Sequence, residues 1–179
     1  ASMTLTRELK RRGVNVIART AVDRVDTGAN LGATVHYRQG DSDEDRTAYG
    51  EVVLAAIGRV PNTDADWFRS SGLKLDERGY VTVDGYGRTN LDGVWALGDI
   101  TPGHALAHRA FEQGITIAEK IAGADPKPVL DDTVPQVVFS FPEAASVGLT
   151  LDQAKAREDV VEPKETAYPM LSNARMLMS

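Results

Sequence analysis

Two hydrophobic periods alternate along the chain, and together they predict a mixture of helices and strands. In the opening segment Leu5 and Leu9 lie four positions apart, which predicts a helix over residues 4–12 that ends at Gly13. The segments that follow favour extended structure instead. The predicted strands cover residues 14–17, 21–25, 31–38 and 47–57.

The last two of these strands differ in their hydrophobic pattern. Residues 31–38 alternate, with Leu31, Ala33, Val35 and Tyr37 on one face, as in a half-buried strand. Residues 52–57 form a continuous apolar run, which is typical of a strand covered on both faces in an α/β sheet. A turn rich in Gly, Pro and Asn follows at residues 58–63, and we place a domain boundary there.

The central segment predicts a buried helix. Residues 64–71 favour a short helix, and residues 81–83 and 94–97 favour strands. A long helix is predicted between Gly103 and Gly123, with two apolar stripes that indicate burial between layers. These stripes consist of Leu106, Ala110, Ile117 and Ile121, and of Ala107, Phe111, Ile115, Ala118 and Ala122. Gly114 inside this helix indicates a close backbone approach, because glycine costs about 1 kcal/mol there relative to alanine.

The final segment begins with an acidic, proline-containing linker at residues 124–134. Strands are predicted at residues 136–140, 145–147 and 164–168, and a helix at residues 151–156. The whole pattern predicts an α/β fold, with a boundary at residues 58–63 and a linker at residues 124–134.

Composition narrows the possible functions. The chain has 179 residues, is 42% hydrophobic and 26% charged, and carries a net charge of −6, as in ordinary soluble globular proteins. The acidic balance argues against nucleic-acid binding, and the basic run around Lys10 indicates a solvated helix face.

The absence of cysteine excludes disulphides and thiol catalysis within the chain. No apolar stretch is long enough to cross a bilayer. No signal peptide is visible, which carries little weight because both ends look like interior sequence. We expect a cytoplasmic protein.

Two histidines have a spacing that metal sites use. His104 and His108 lie four apart and share a face of the predicted long helix. A metal site needs three or four ligands, and no further ligand is evident in the sequence. The structural interpretation is therefore favoured, and we expect no metal.

Asp99 follows a predicted strand and precedes the long helix, a position at which α/β sheets bind ligands. Its carboxylate is able to accept hydrogen bonds from sugar hydroxyls. The next helix directs unpaired N–H groups and a positive dipole end towards the same crevice, which favours the negative charge of a reduced flavin. Taken alone, the pattern also fits an Asp that serves only as a turn or cap residue.

Three motifs decide between these interpretations. They are residues 54–63 (LAAIGRVPNT), residues 89–115 with GVWALGDI, ALAHRA and EQGI, and residues 135–150 with PQVVF and PEAASVGLT. Their order and spacing resemble the class I pyridine nucleotide-disulphide oxidoreductase family, and residues 106–110 are most similar to its dihydrolipoyl dehydrogenase branch. The resemblance covers nearly the whole chain.

The resemblance implies a role for individual residues. Asp99 would bind the ribityl hydroxyls of FAD, and the backbone N–H groups of residues 105–108 would lie near the pyrimidine edge of the flavin. The residues of that loop are Ala105, Leu106, Ala107 and His108. Gly58 would lie against bound NAD, and Val22 would pack against its adenine. Arg59 would hold the crossover between domains.

The resemblance also implies the fold. Residues 1–62 would be the C-terminal part of an NAD(P)-binding domain, and residues 63–124 the return segment of an FAD-binding domain, both three-layer and Rossmann-like. Residues 125–179 would begin an α+β dimer-interface domain, so that the full-length protein is a homodimer.

Several family features are absent from this sequence. It contains neither a G-x-G-x-x-G fingerprint nor the redox-active cysteine pair, and the family's His–Glu acid–base pair is expected beyond Ser179. We therefore expect a fragment that holds cofactor-wall residues and no catalytic residue. In the complete enzyme the resemblance implies that dihydrolipoamide reduces the disulphide, a thiolate passes electrons to FAD, and hydride goes to NAD+.

Two alternatives remain open from the sequence. One is another reductase of the same superfamily, such as an NAD(P)H:quinone reductase, which keeps the flavin machinery and can lack the reactive disulphide. The other is a non-catalytic dimerisation module that uses the apolar residues Phe139, Phe141 and Val147. The strand that discriminates NAD from NADP lies upstream of Ala1, so that choice is also open.

Overall fold

A computed structural model describes residues 2–28, 32–169 and 173 of the chain. These residues divide into two compact units. The first unit runs to Pro61 and includes Val138–Ala144, and the second comprises Asn62–Val137 and the described residues from Ala145 onward.

The first unit consists of one helix and an antiparallel sheet. Its elements are helix α1 (Ser2–Arg11) and strands β1 (Thr20–Thr27), β2 (Ala33–Gln39) and β3 (Arg46–Gly50), in the order β1-β2-β3. Helix α1 ends as predicted, because Gly13 adopts a φ of +82° and the Val14 N–H donates to the Leu9 carbonyl at 3.0 Å. The pairing of β1 with β2 is irregular between Val22 and Arg24, which leaves Asp23 in a β-bulge.

None of the described residues of this first unit is buried. The prediction of a fully covered strand at residues 52–57 is therefore wrong. Residues 52–57 form no strand, and Val52, Leu54 and Ile57 are 86%, 86% and 95% exposed. No partner strand lies on either side of them in the described part of the chain, and a strand exists only when its backbone groups have a ladder to join. The predicted strand at residues 14–17 is also absent, and Leu31 lies outside the described residues.

The second unit contains the buried hydrophobic core. Phe68, Val81 and Ala96 form its centre, with Val81 fully buried. Phe68 comes from the short helix α2 (Asp66–Arg69), which lies within the predicted range. Val81 and Ala96 lie in extended segments joined by single bridges, Leu75 to Val81 and Arg88 to Trp95. The strands predicted there are thus reduced to isolated bridges, and turns between them complete the packing.

Helix α3 (Ala107–Ile121) is the longest element of the chain and begins after a 3-10 turn at Gly98–Ile100. Only part of its predicted burial is observed. Ile117 is buried, whereas Phe111 and Ile115 of the second apolar stripe are 71% and 54% exposed. The close approach predicted at Gly114 is also absent, because an added Cβ would meet only Leu97 Cδ2 at 4.0 Å.

The last elements follow the predicted order. A 3-10 turn at Asp131–Thr133 lies in the predicted linker and precedes a two-stranded sheet of β4 (Gln136–Val138) and β5 (Ala144–Ser146). Helix α4 (Leu151–Lys155) begins with a capping box in which Thr150 accepts a hydrogen bond from the Gln153 N–H. The strand predicted at residues 164–168 does not form, because nothing in the described chain pairs with it.

Candidate cofactor-binding site

The predicted flavin residues of the second unit lie in and beside one short loop. Asp99 is the middle residue of the 3-10 turn at Gly98–Ile100, and this turn packs against α3. Its carboxylate is exposed and has no side-chain partner among the described residues. The turn itself is held by Thr101, whose hydroxyl donates to the Gly98 carbonyl at 2.8 Å.

The first turn of α3 is the second part of this site. Leu106 is the N-cap residue in extended backbone and supplies no side-chain cap, so the N–H groups that open the helix lack an internal acceptor. Ala105, Ala107 and His108 are exposed, and Leu106 is half-buried. The Leu106 N–H already donates to the His104 carbonyl at 3.0 Å. An open helix start beside an acidic turn suits a ligand with both hydroxyls and electronegative atoms.

Both histidines of this region contact the segment that leads into β4. His108 Nε2 lies 2.7 Å from the Pro135 carbonyl oxygen, and His104 Nε2 lies 3.1 Å from Gln136 Nε2. They therefore join the start of α3 to residues 135–136. No cluster of three metal-ligating side chains occurs in the part of the chain that the structure describes.

The remaining predicted site residues belong to the first unit. Gly58 has a φ of +153°, is exposed, and has open space where a Cβ would be added. Val22 lies opposite Tyr37 in the sheet and is 57% exposed. Both present open surface, which is what contact with a nucleotide requires.

Two pockets of the second unit lie along other faces of α3. One, of about 340 Å³, is lined in part by Thr101, Arg109, Gln113 and Asp131. The other, of about 690 Å³, is lined in part by His108, Glu112, Lys127 and Val137. Asp99 lines neither, so the predicted flavin residues form an open wall rather than an enclosed cavity.

Sequence reasoning missed the residues that hold this loop in place. Gln113 Oε1 accepts the Gly98 N–H at 2.9 Å, and Arg109 forms an ion pair with Asp131 at 2.7 Å. Arg109 is one of several charged or polar residues of α3, so its charge alone did not single it out. Asp131 gave no signal, since it lies in a segment whose composition is that of a linker.

The chain belongs to the pyridine nucleotide-disulphide oxidoreductase family, whose model matches residues 1–114. Within that family the chain is similar to dihydrolipoyl dehydrogenases. It is 40% identical over 178 residues to the enzyme of Geobacillus stearothermophilus, covering 97% of this chain and 36% of that protein. It is 38% identical over 172 residues to the enzyme of Cupriavidus necator, covering 96% of this chain and 35% of that protein.

A solved structure shows the same relationship. The crystal structure of LpdA from Mycobacterium tuberculosis superimposes with a TM-score of 0.83 at 31% identity, over 98% of this chain and 37% of that one. The predicted family and α/β class are thereby confirmed. The chain spans about a third of the length of the curated relatives that it matches. No described helix has the length and apolar character needed to cross a membrane.

Proposed function

We propose that the full-length protein that contains this chain is an FAD-dependent disulphide oxidoreductase that oxidises dihydrolipoamide and reduces NAD+. The single observation that carries the proposal is the Asp99 carboxylate, which is exposed, has no side-chain partner among the residues that the structure describes, and lies beside the uncapped start of α3. The similarity to dihydrolipoyl dehydrogenases over nearly the whole chain supports it.

The loop and the helix start have complementary roles in this proposal. When bound, FAD supplies the transfer of an electron pair between a dithiol and the nicotinamide. Asp99 accepts hydrogen bonds from the ribityl hydroxyls and so orients the flavin. The N–H groups of Ala107 and His108 and the positive end of α3 stabilise the negative charge that reduction places on the pyrimidine edge.

The first unit has the corresponding role for the nicotinamide nucleotide. Gly58 leaves space at the end of the apolar segment for the nicotinamide, and Val22 offers an apolar surface to the adenine. We assign residues 1–62 to the NAD(P)-binding domain, residues 63–124 to the FAD-binding domain and residues 125–179 to the dimerisation domain.

Exposed apolar surface supports the larger assembly that the proposal requires. Val52, Leu54, Ile57 and Phe111 are each more than two-thirds exposed, which is costly for an isolated domain and indicates surfaces that other parts of the protein cover. We propose a cytoplasmic homodimer.

The first test is the coding sequence on both sides of this segment. Two glycine fingerprints and a Cys-x4-Cys upstream, with a His-x4-Glu downstream, are the expected result. Fingerprints without the cysteines would indicate the quinone reductase instead. Start and stop codons directly at these ends would refute the enzyme and favour a dimerisation module.

The second test is the substitution Asp99→Ala in the full-length protein. Loss of a charge-assisted acceptor is expected to weaken FAD binding by on the order of 10- to 100-fold. The measurement is a fluorescence titration of the flavin-free protein with FAD. Asp92→Ala removes a neighbouring exposed carboxylate and is the matched control. Equal FAD affinity in both variants would contradict the role of Asp99.

A further inference from the structure

Arg109 is a buried cation in the first turns of α3. The residue is 6% exposed, although it lies among mostly exposed neighbours. Its Nε donates to Asp131 Oδ1 at 2.7 Å, and its Nη2 donates to the Pro102 carbonyl at 2.5 Å. A guanidinium leaves water at a high desolvation cost, so its partners must be held in a defined geometry. The buried side chain therefore joins three segments: α3, the loop before it, and the 3-10 turn at Asp131–Thr133.

The loop is shaped around this ion pair. Gly103 has a φ of +119°, and a Cβ added there would lie 2.5 Å from Asp131 Oδ2 and 2.7 Å from Arg109 Cζ. The left-handed backbone conformation favours glycine at this position, and a Cβ there would force the Arg109 or Asp131 side chain to move. The backbone of the loop consequently lies directly against the guanidinium and the carboxylate.

The other end of the same loop is also attached to α3. Gln113 lies one turn beyond Arg109, and its Oε1 accepts the Gly98 N–H at 2.9 Å. Thr101, which is 2% exposed, closes the loop internally on the Gly98 carbonyl. Residues 98–102 are thus fixed to the helix at both ends by two side chains on one face, and Asp99 lies between the two attachments.

We propose that Arg109 and Asp131 are positioning residues for the flavin, because their ion pair sets where Asp99 lies relative to the first N–H groups of α3. This inference rests on the proposed function. Neither residue belongs to the predicted flavin contacts, and both act through the loop. The Asp99 carboxylate and the N–H groups that open α3 would hold different parts of one flavin, and the Arg109–Asp131 ion pair fixes their relative position.

The test uses the full-length flavoprotein with three substitutions. Asp131→Asn removes the charge and leaves no cavity, because Asn has nearly the same shape as Asp and the side chain is 44% exposed. Arg109→Met removes the buried cation while keeping much of its length. Asp131→Glu restores a carboxylate. Matched controls are Asp132→Asn, which alters the adjacent carboxylate, and Lys120→Met. Lys120 is another cation of α3, and it pairs with Asp125 beyond the end of the helix.

Each flavin-free variant is examined by circular dichroism for folding and then titrated with FAD. Asp131→Asn and Arg109→Met are expected to raise the FAD dissociation constant by on the order of 10- to 100-fold, the range for hydrogen bonds to charged groups. The flavin absorption maximum is expected to shift, and the Arg109→Met/Asp131→Asn double variant to lose less affinity than the sum of the single losses. Asp131→Glu is expected to recover part of the affinity, and both controls to match wild type.

A folded Asp131→Asn variant with wild-type FAD affinity and an unchanged flavin spectrum would overturn the positioning role alone. If Arg109→Met fails to fold, Asp131→Asn decides the question. A full-length wild-type protein that does not bind FAD would instead refute the proposed function, and the positioning role with it.

Discussion

At the scale of single residues, one exposed ion pair has a clear effect on titration. Arg38 donates to both oxygens of Asp23, from Nε at 2.9 Å and from Nη2 at 2.6 Å. This hydrogen bonding, followed by the attraction of the positive charge, lowers the pKa of Asp23 below its ordinary value of 3.8. An acid whose pKa is lower in the folded state stabilises the fold above its unfolded pKa and loses that contribution as pH falls through the folded pKa.

Substitution of Arg38 tests this coupling. In the Arg38→Gln variant the pKa of Asp23 is expected to rise towards 3.8, because the donor pair and the positive charge are both lost. The variant therefore loses the contribution of Asp23 at pH values above 3.8, where wild type has it in full, and the stabilities of the two proteins converge as the pH falls below the folded-state pKa of Asp23. A carbon-detected NMR titration of the side-chain carboxyl measures the pKa, with Arg69→Gln as a control distant in sequence. An unchanged Asp23 titration would show that the pair does not form in solution.

The candidate site shows what the sequence reveals at this scale. Asp99 was singled out by its place after a predicted strand and before a helix, and its flavin role was predicted from the resemblance of the surrounding motif, because both signals are local in sequence. The pairing of Arg109 with Asp131 was not, because the partners are separated by 22 positions and only the folded chain brings them together. Helix α3 contains several charged residues, and none of them indicates by itself which distant residue it pairs with.

At the scale of elements, helices were predicted better than strands. Helices α1, α3 and α4 were predicted correctly because a helix satisfies its own hydrogen bonds and its caps are local. Residues 52–57 have the composition of a strand but form none, since a strand depends on neighbours from elsewhere in a protein. The same reason explains the reduction of residues 81–83 and 94–97 to single bridges.

Two glycines with nearly equal φ angles differ in the space around them, so their substitution distinguishes the cost of the backbone conformation from the cost of steric overlap. Gly87 has a φ of +76° and Gly93 a φ of +73°. An added Cβ at Gly87 would lie 2.7 Å from Ile117 Cδ1 and 2.9 Å from the Ala96 carbonyl oxygen, whereas at Gly93 it would meet nothing within 4 Å. Both substitutions incur a left-handed backbone cost, and only one forces the core apart.

We expect Gly93→Ala to lower the free energy of unfolding by about 1 kcal/mol, the cost of the backbone conformation. Gly87→Ala is expected to cost about 1–3 kcal/mol more, the usual range for overpacking. Urea denaturation of the two variants gives the difference directly. Equal losses would mean that the segments around Gly87 and Ile117 are not packed as observed.

At the scale of the whole molecule, the chain contains parts of two proposed cofactor walls and neither phosphate-binding fingerprint. We therefore expect the isolated polypeptide to bind FAD weakly or not at all, and to show no NADH-dependent dye reduction. A fluorescence titration and a dye-reduction assay on homogeneous protein are the measurements. Tight stoichiometric FAD binding would contradict the expectation.

The same preparation separates the enzyme from the dimerisation module. Sedimentation at several concentrations is expected to show no specific dimer of this polypeptide alone. A defined, concentration-dependent dimer that disappears on Phe139→Ser substitution would favour the module. Val129→Ser, in the predicted linker, is a control for a general loss of apolar surface.

The discontinuity of the first unit has a consequence for the order in which the protein acquires structure. Arg12 lies over the ring of Phe141 at 4.4 Å, and Phe141 belongs to the segment Val138–Ala144 of that unit. On the ribosome, α1 and strands β1, β2 and β3 emerge before Phe141, so this contact waits until all of Asn62–Val137 has been synthesised. A nascent chain that pauses before residue 138 therefore exposes an incomplete first unit, and synthesis of Val138–Ala144 is the step that completes it.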